Sequence, residues 1–296
     1  MSEVEVRELR YFRAVAQELN FSRAAAGLGI AQPALSRAIR QLERRLGVPL
    51  FLRDTRRVEL TAAGHALVTE SGRVFDALSA AVHRTRRSGA VTPTVVVTAK
   101  AGVATDLLRR IVAAYAAQSA QERVEVLVSG YGEQSPMLRD GRVDLALIGS
   151  PAEHAGFDVA PLLCEPRVAA LPAGHELAGR VALECADLIG QPMPRWPGAD
   201  LAERAYWAGR DHDLPDGPEV RDSSQLLEII ALGQAVGLVP STLARLNPRS
   251  DIVYRPVRDA SPYRTVIAWP AGSRSPWIAR FVRVALDLVG EPLLAG

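Results

Sequence analysis

Phe21-Ser22-Arg23-Ala24-Ala25-Ala26-Gly27-Leu28-Gly29-Ile30-Ala31-Gln32-Pro33-Ala34-Leu35-Ser36-Arg37-Ala38-Ile39-Arg40-Gln41-Leu42 decides the fold of the N-terminal third of this chain. Ser22–Leu28 predicts a short helix, Gly29–Ala31 a tight turn and Gln32–Leu42 a second helix, which is the spacing of a helix-turn-helix. On the second helix Leu35, Ala38, Ile39, Leu42 and Leu46 recur at helical spacing and form one apolar stripe. The opposite face carries Gln32, Ser36, Arg37, Arg40 and Arg44, whose amide, hydroxyl and guanidinium groups suit phosphates and base edges. Pro33 lies in the first turn, where its missing N–H costs nothing and its fixed φ suits a helix start. Taken alone, the segment also fits an ordinary amphipathic helix with a solvated basic face. Its flanks separate the two readings.

Upstream, Leu9, Phe12, Ala16 and Leu19, with Val15 beside them, place a third apolar face against that stripe. Downstream, Leu50–Arg53 and Val58–Thr61 alternate apolar and polar residues around the turn sequence Asp54-Thr55-Arg56-Arg57, predicting a small β-hairpin, or wing. Arg53, Arg56 and Arg57 make its tip basic, as a hairpin that reaches the sugar-phosphate backbone or a narrow minor groove requires. The unit expected over residues 1–60 is a winged helix-turn-helix that binds double-stranded DNA, with Gln32, Pro33, Ser36, Arg37, Arg40, Arg53, Arg56 and Arg57 as its contacts.

From Leu9 to Gly64 the chain resembles the DNA-binding domain of LysR-type transcriptional regulators. The resemblance rests on Phe12, Phe21-Ser22, Ala24-Ala25-Ala26, Gln32-Pro33-Ala34-Leu35-Ser36, Leu42-Glu43, Leu46-Gly47, Leu50-Phe51, Arg53 and Leu60-Thr61-Ala62-Ala63-Gly64. It implies that Gln32, Pro33, Ser36, Arg37 and Arg53 touch DNA. It further implies a pseudo-palindromic operator, a homodimer through residues 61–87, a homotetramer built from two such dimers, and contact with RNA polymerase if the protein activates. One departure is Ala31, where many relatives place Ser or Thr as the helix cap, a loss of about 1 kcal/mol.

Thr61–Arg87 predicts one long proline-free helix with Leu67, Val68, Val74, Phe75, Leu78 and Val82 as an apolar stripe, followed by a hinge at residues 88–93. The body then repeats a strand-helix rhythm, with strands at Thr94–Thr98, Val124–Val128 and Val143–Ile148 and a helix over Val103–Gln118, which predicts an open α/β sheet of parallel strands. After a crossover near Leu162–Leu171 comes a second unit, with helices at Leu201–Arg210 and Ser224–Gln234 and a buried strand at Val236–Val239. Arg264–Trp269 returns to the first unit, and Pro276–Val289 is a final helix. The organisation expected is residues 1–60 for the DNA-binding domain, 61–90 for the linker helix and hinge, 91–163 with 268–296 for lobe one, and 164–267 for lobe two. This α+β multidomain arrangement, with Leu138–Ala146 as an L-x-x-G-x-x-D-x-A element, resembles the two-lobed, periplasmic-binding-protein-like (type II) effector domain of the same family.

Composition agrees with that division. The 296 residues carry a net charge of +2, but residues 1–90 hold 15 arginines against 9 acidic residues and the remainder is net acidic, as suits a polyanion-binding head on a body that does not bind it. Among 35 basic residues Lys100 is the sole lysine. The opening residues lack a basic stretch followed by an apolar run, and no segment approaches the ~18 apolar residues of a membrane span, so a cytoplasmic protein with no membrane partner is expected. Cys164 and Cys185 have no metal-ligand spacing and are expected reduced and buried, a redox pair being the other reading. No metal and no cofactor is expected.

In open α/β sheets ligands sit beyond the carboxyl ends of the strands. Here those ends are Thr98–Gly102, Ser129–Tyr131 and Gly149-Ser150 in lobe one, with Arg195-Trp196 and Asp222–Ser224 in lobe two. Thr98, Lys100, Ala101, Ser129, Gly149, Arg195 and Ser223 are therefore the expected contacts of a small anionic effector, a carboxylate, with Lys100 as a point charge and Arg195 as a bidentate fork. Lys100 as a solvated loop residue is the competing reading. The five histidines are scattered, with no H-x-x-x-H, nucleophile elbow or phosphate loop, which argues against an enzyme. A solute-binding protein or enzyme with an appended DNA-binding domain is the alternative; the basic N-terminal unit favours the regulator.

Overall fold

The computed structural model describes residues 4–53, 57–89, 92–118, 122–152, 154–209 and 216–290. They fall into two compact units, residues 1–79 and 80–296. In the first, helices α1 (Val6–Glu18), α2 (Phe21–Leu28) and α3 (Gln32–Leu46) surround a core of Phe12, Val15, Ala24, Ala25, Leu35, Ile39, Leu42, Leu50 and Phe51. Asn20 starts α2 by accepting hydrogen bonds from the backbone N–H of Ser22 and Arg23. Leu19, expected in the core, is instead the C-cap of α1, left-handed at φ 44° and exposed, because the chain must reverse direction over that one residue. Leu46, at the far end of the α3 stripe, is exposed as well. Ala31 gives α3 no side-chain cap.

Strands β1 (Phe51–Arg53) and β2 (Val58–Leu60) pair antiparallel to form the wing. Helix α4 (Ala62–Ser88) follows, opened by the Thr61 hydroxyl, which accepts from the Gly64 N–H. A Cβ at Gly64 would lie 2.3 Å from the Leu50 carbonyl oxygen, so only glycine lets the helix rest directly on the backbone that leads into the wing.

The second unit holds two lobes. In lobe one, β3 (Thr94–Lys100), α5 (Thr105–Gln118), β4 (Arg123–Ser129), α6 (Gln134–Arg139) and β5 (Leu145–Gly149) form a strand-helix repeat in which β3, β4 and β5 are parallel. Then β6 (Phe157–Glu165) leads across to β7 (Arg167–Pro172) in lobe two. There β8 (Met193–Arg195), α7 (Leu201–Ala208), β9 (Asp216–Glu219), α8 (Ser223–Ala231), β10 (Gly237–Pro240), α9 (Ser241–Leu246) and β11 (Ile252–Pro256) follow. The chain returns through β12 (Tyr263–Pro270) and ends on α10 (Pro276–Val289). Lobe one is a five-stranded sheet in the order β4-β3-β5-β12-β6; lobe two has a three-stranded sheet, β10-β7-β11, and the pair β8-β9.

Two expectations change. The large sheet is mixed rather than all-parallel, because β12 enters from the other lobe and runs antiparallel to both β5 and β6. The expected change of lobe at 267/268 cuts β12 in half; the whole strand is hydrogen-bonded to β6, so the second crossover precedes Tyr263, and the first follows Glu165 rather than residue 163. Strand β3 is apolar at successive positions because both faces are covered: Val95, Val97 and Ala99 pack under α5 and α10 with Tyr115 and Phe281, while Val96 meets Met137 and Leu138.

The L-x-x-G-x-x-D-x-A element now has a physical account. Leu138 is buried, Gly141 turns the chain at φ +73°, and Asp144 accepts from the Val96 N–H at 2.9 Å and from the Arg87 guanidinium at 2.7 Å. It ties the end of α4 to the first strand of lobe one.

Between the lobes, Arg167 is 1% exposed. Its guanidinium donates to the carbonyl oxygens of Ser261 at 2.6 Å and Tyr206 at 2.5 Å and to the Ser261 hydroxyl at 2.7 Å, and it lies over the Tyr206 ring. Replacing it removes three hydrogen bonds made by a buried cation, each worth about 1.5–3 kcal/mol. Arg167→Met is therefore expected to lower the stability of the second unit by about 3 kcal/mol or more in urea titration, and a loss under 1 kcal/mol would show that this buried cation is dispensable.

Candidate functional site

The outer face of α3 leaves Gln32, Pro33, Arg37 and Arg40 exposed and Ser36 half-buried. Arg40 donates to the Ser36 hydroxyl at 3.1 Å, so these two side chains form one polar group on that face. Pro33 occupies the first turn and leaves no N–H unsatisfied. The wing is less free than its sequence suggests. Arg53 is paired with Glu43 at 2.8 Å and stacks 4.7 Å from the centre of the Phe21 ring. Glu43 also accepts from the N–H groups of Leu50 and Phe51. Arg53 thus fastens the wing to α3, with 29% of its side chain exposed to anything else. Arg57 is highly exposed and lies 3.8 Å from Glu59. Arg56 lies outside the described residues.

The second candidate is the cleft between the lobes of the C-terminal unit. Lys100, at the end of β3, extends its ammonium to 4.4 Å from the Tyr131 ring centre and 4.5 Å from that of Trp196. Tyr131 belongs to lobe one and Trp196 to lobe two; their rings stack at 4.0 Å and 7°. The Trp207 indole donates to the Tyr131 hydroxyl at 2.7 Å, and that hydroxyl donates to the Glu203 carboxylate. Two cavities meet here. An inner apolar one between Val103, Trp196, Leu226, Val239 and Leu243 has room for only about 20 Å³; an outer one, bounded by Tyr131, Gln134, Ser150, Glu203 and neighbouring backbone, measures about 490 Å³. Lys100, Trp207 and Tyr263 line both.

Of the expected effector contacts, Lys100 and Ser223 line the inner cavity and Gly149 the outer one. Ser223 begins α8, whose N-cap is Asp222. At Gly149 a Cβ would fall 1.7 Å from the Tyr263 hydroxyl, so the glycine makes room for that ring in the floor of the cleft. Thr98 and Ser129 do not face the cleft. Both are buried, the Thr98 hydroxyl donating to the Leu127 carbonyl at 2.6 Å and lying 2.9 Å from Ser129, which in turn accepts from Gln134 at 2.6 Å. They brace the ends of β3 and β4. Ala101 lines neither cavity; its N–H donates to the Ser129 carbonyl at 3.4 Å. Arg195 lines neither, because the alternation of β8 turns it to the Gly217 carbonyl and sends its neighbour Trp196 inward.

Trp207, Glu203 and Tyr263 were absent from the expected set. The first two sit on α7, and the signal was available: with aromatic residues only 5% of the chain, Tyr206-Trp207 on one short helix marks a packed surface. Of the cysteines, Cys185 is buried as expected, whereas Cys164 is exposed on β6, and neither is in a disulfide. Among the described residues no group of side chains is placed to hold a metal, and no helix is long and apolar enough to cross a membrane. His175 serves structure: its Nδ1 accepts from the Leu177 N–H and its Nε2 lies 3.2 Å from Gln191.

Residues 6–65 match the bacterial regulatory helix-turn-helix of the lysR family, and residues 88–289 match the LysR substrate binding domain. The chain belongs to the LysR family. It is 31% identical to the HTH-type transcriptional regulator BudR of Raoultella terrigena, over 95% of this chain and 100% of that protein. It is 29% identical to the Hca operon transcriptional activator HcaR of Escherichia coli, over 96% and 98%. Among solved structures, full-length BenM is 25% identical over 96% of both chains with a TM-score of 0.54. CbnR, a LysR family transcriptional regulator, shares the fold with a TM-score of 0.62 at 22% identity, over 97% and 100%. As a family member the chain is a LysR-type transcriptional regulator with a winged helix-turn-helix and an effector-binding domain, and not an enzyme.

The electrostatics of the cleft are set by burial. Burial lowers the Lys100 ammonium from 10.5 to about 8, against the pull of Glu203 and Asp222. Burial likewise raises the Glu203 carboxyl, opposed by its hydrogen bond with Trp207 and by Lys100. The unfolded chain binds more protons at this site between pH 8 and 10.5, so Lys100 makes stability rise with pH across that window and exerts its full burial cost below it. Because Lys100 is the sole lysine, the Cε resonance of a chain carrying ¹³C-lysine is a single probe; its midpoint is expected near 8, and a midpoint above 10 would show an ordinary, solvated amine.

Proposed function

We propose that this regulator binds a pseudo-palindromic DNA site through α3 and that a small carboxylate in the interlobe cleft modulates that binding or promoter activation. The observation that carries the DNA half is the polar outer face of α3, with Gln32, Pro33, Ser36 and Arg37 at its N-terminal end selecting sequence. Arg40, Arg53, Arg56 and Arg57 anchor the phosphate backbone, Arg53 with reduced reach because Glu43 holds it. The acidic body and basic head support the division of labour. Val68, Val74, Leu78 and Val82 each remain more than a third exposed on α4, which supports a homodimer through residues 61–87 that buries them. Two dimers form a tetramer, acting in the cytoplasm, and RNA polymerase is the further partner if the protein activates.

The observation that carries the effector half is Lys100, a cation inside an aromatic-lined cleft with the Ser223 hydroxyl beside it and a cavity of about 490 Å³ before it. A carboxylate there draws the Lys100 charge away from the rings, biasing the two lobes and, through α4, the spacing of the DNA heads. Thr98, Ser129 and Ala101 position the strand ends rather than touch the ligand, and Arg195 supports Trp196 through the β8-β9 pair.

Arg37→Ala is expected to weaken operator binding by about 1–3 kcal/mol in fluorescence anisotropy while leaving random DNA less affected; equal losses on both would move Arg37 to a phosphate role. In calorimetry against metabolite carboxylates Lys100→Ala is expected to abolish detectable binding, and unchanged affinity would reject the cleft as the anion site.

A further inference from the structure

The chain meets its need for positive charge with arginine at every position but one. If Lys100 served only to hold a carboxylate, arginine would serve better, since its planar fork binds that group bidentately. What lysine offers and arginine does not is an amine that loses its proton and becomes a nucleophile. The surroundings of Lys100 favour that use. Among the described residues its Nζ makes no hydrogen bond and no ion pair; it lies 4.4 and 4.5 Å from the centres of the two stacked rings and borders the outer cavity. Within the same cleft the Glu203 carboxyl and the Tyr131 hydroxyl form a hydrogen-bonded pair able to pass a proton.

Resting on the reading that the effector occupies this cleft, we propose that Lys100 is a covalent sensing site: a small effector bearing an aldehyde or 2-oxo group condenses with its Nζ to form a reversible imine. The nitrogen lone pair adds to the carbonyl carbon, and a proton moves from nitrogen to the former carbonyl oxygen, giving a carbinolamine. Glu203, through Tyr131, then protonates that oxygen; the C–O bond breaks, water leaves, and C=N forms. No oxidant or reductant takes part. The protonated imine keeps the positive charge that the rings of Tyr131 and Trp196 already hold, so the adduct fits the site without a new counter-ion. The lowered proton affinity of Lys100 supplies neutral amine near physiological pH.

The sole lysine makes the test direct. The intact protein is treated at pH 8 with pyruvate, glyoxylate or butanal in the presence of sodium cyanoborohydride, digested, and mapped by mass spectrometry. The expected result is a reduced adduct on the peptide containing Lys100, forming on the order of a hundredfold faster than at the same lysine in urea, from the larger neutral fraction alone, with a pH midpoint near 8. Lys100→Arg keeps the cation and is expected to lose that adduct while labelling of the N-terminal α-amine is unchanged. Adduct confined to the α-amine, or labelling of Lys100 no faster than in urea, overturns the imine. Benzoate separates the two readings of the cleft: thermal stabilisation by benzoate without trapping at Lys100 leaves the carboxylate site and rejects the imine. Trapping by butanal without stabilisation by benzoate upholds the imine and rejects the carboxylate.

Discussion

Two strands carry the chain between the lobes of the C-terminal unit, and one buried guanidinium holds their ends together. Arg167 begins β7, just beyond the first crossover, and its main partners are Ser261, just before the second, and Tyr206 on α7. A buried cation is costly unless its donors are satisfied, and these are satisfied by groups that meet only when both crossovers and α7 are in place. The other features of the cleft hang on that point. Helix α7 carries Glu203 and Trp207 toward lobe one, β12 starts with Tyr263 over Gly149, and the stacked pair Tyr131-Trp196 closes on Lys100.

The DNA-binding unit was legible almost residue by residue, because its information is local. Helical periodicity on α3, a glycine-centred turn, and a hairpin with a polar turn each lie within a few residues of one another, and the core that results uses Leu35, Ile39 and Leu42 as the stripe requires. What misled was at the ends. Leu19 and Leu46 continue the apolar period, but the chain leaves the helix at those positions, and a period says nothing about where a helix stops.

The cleft was legible at the level of loops and not of side chains. Strand ends place Lys100, Gly149 and Ser223 beside the cavities, since open α/β sheets gather those ends on one edge. The same rule could not say which way a residue turns. Thr98 and Ser129 point into the sheet to satisfy one another and a backbone carbonyl, and Arg195 differs from Trp196 by a single step of strand alternation. The antiparallel course of β12 was hidden for a related reason: pairing partners about a hundred residues or more apart in sequence leave no local mark. Likewise the basic wing promised free arginines, whereas Glu43 on α3 claims Arg53 for the fold.

The Lys100 ammonium and the Trp196 ring line an inner cavity with room for only about 20 Å³, and Trp196 stacks on Tyr131 of the other lobe. On the proposed reading, a carboxylate that draws on Lys100 binds against the contact the ammonium already makes with the rings. Affinity for an effector is then a difference between two fits, and Trp207, which lines both cavities, bears on the resting half of that difference. Substitutions there would change the concentration at which the sensor responds while leaving intact the groups that recognise the signal, so a lineage can retune its threshold without learning a new ligand.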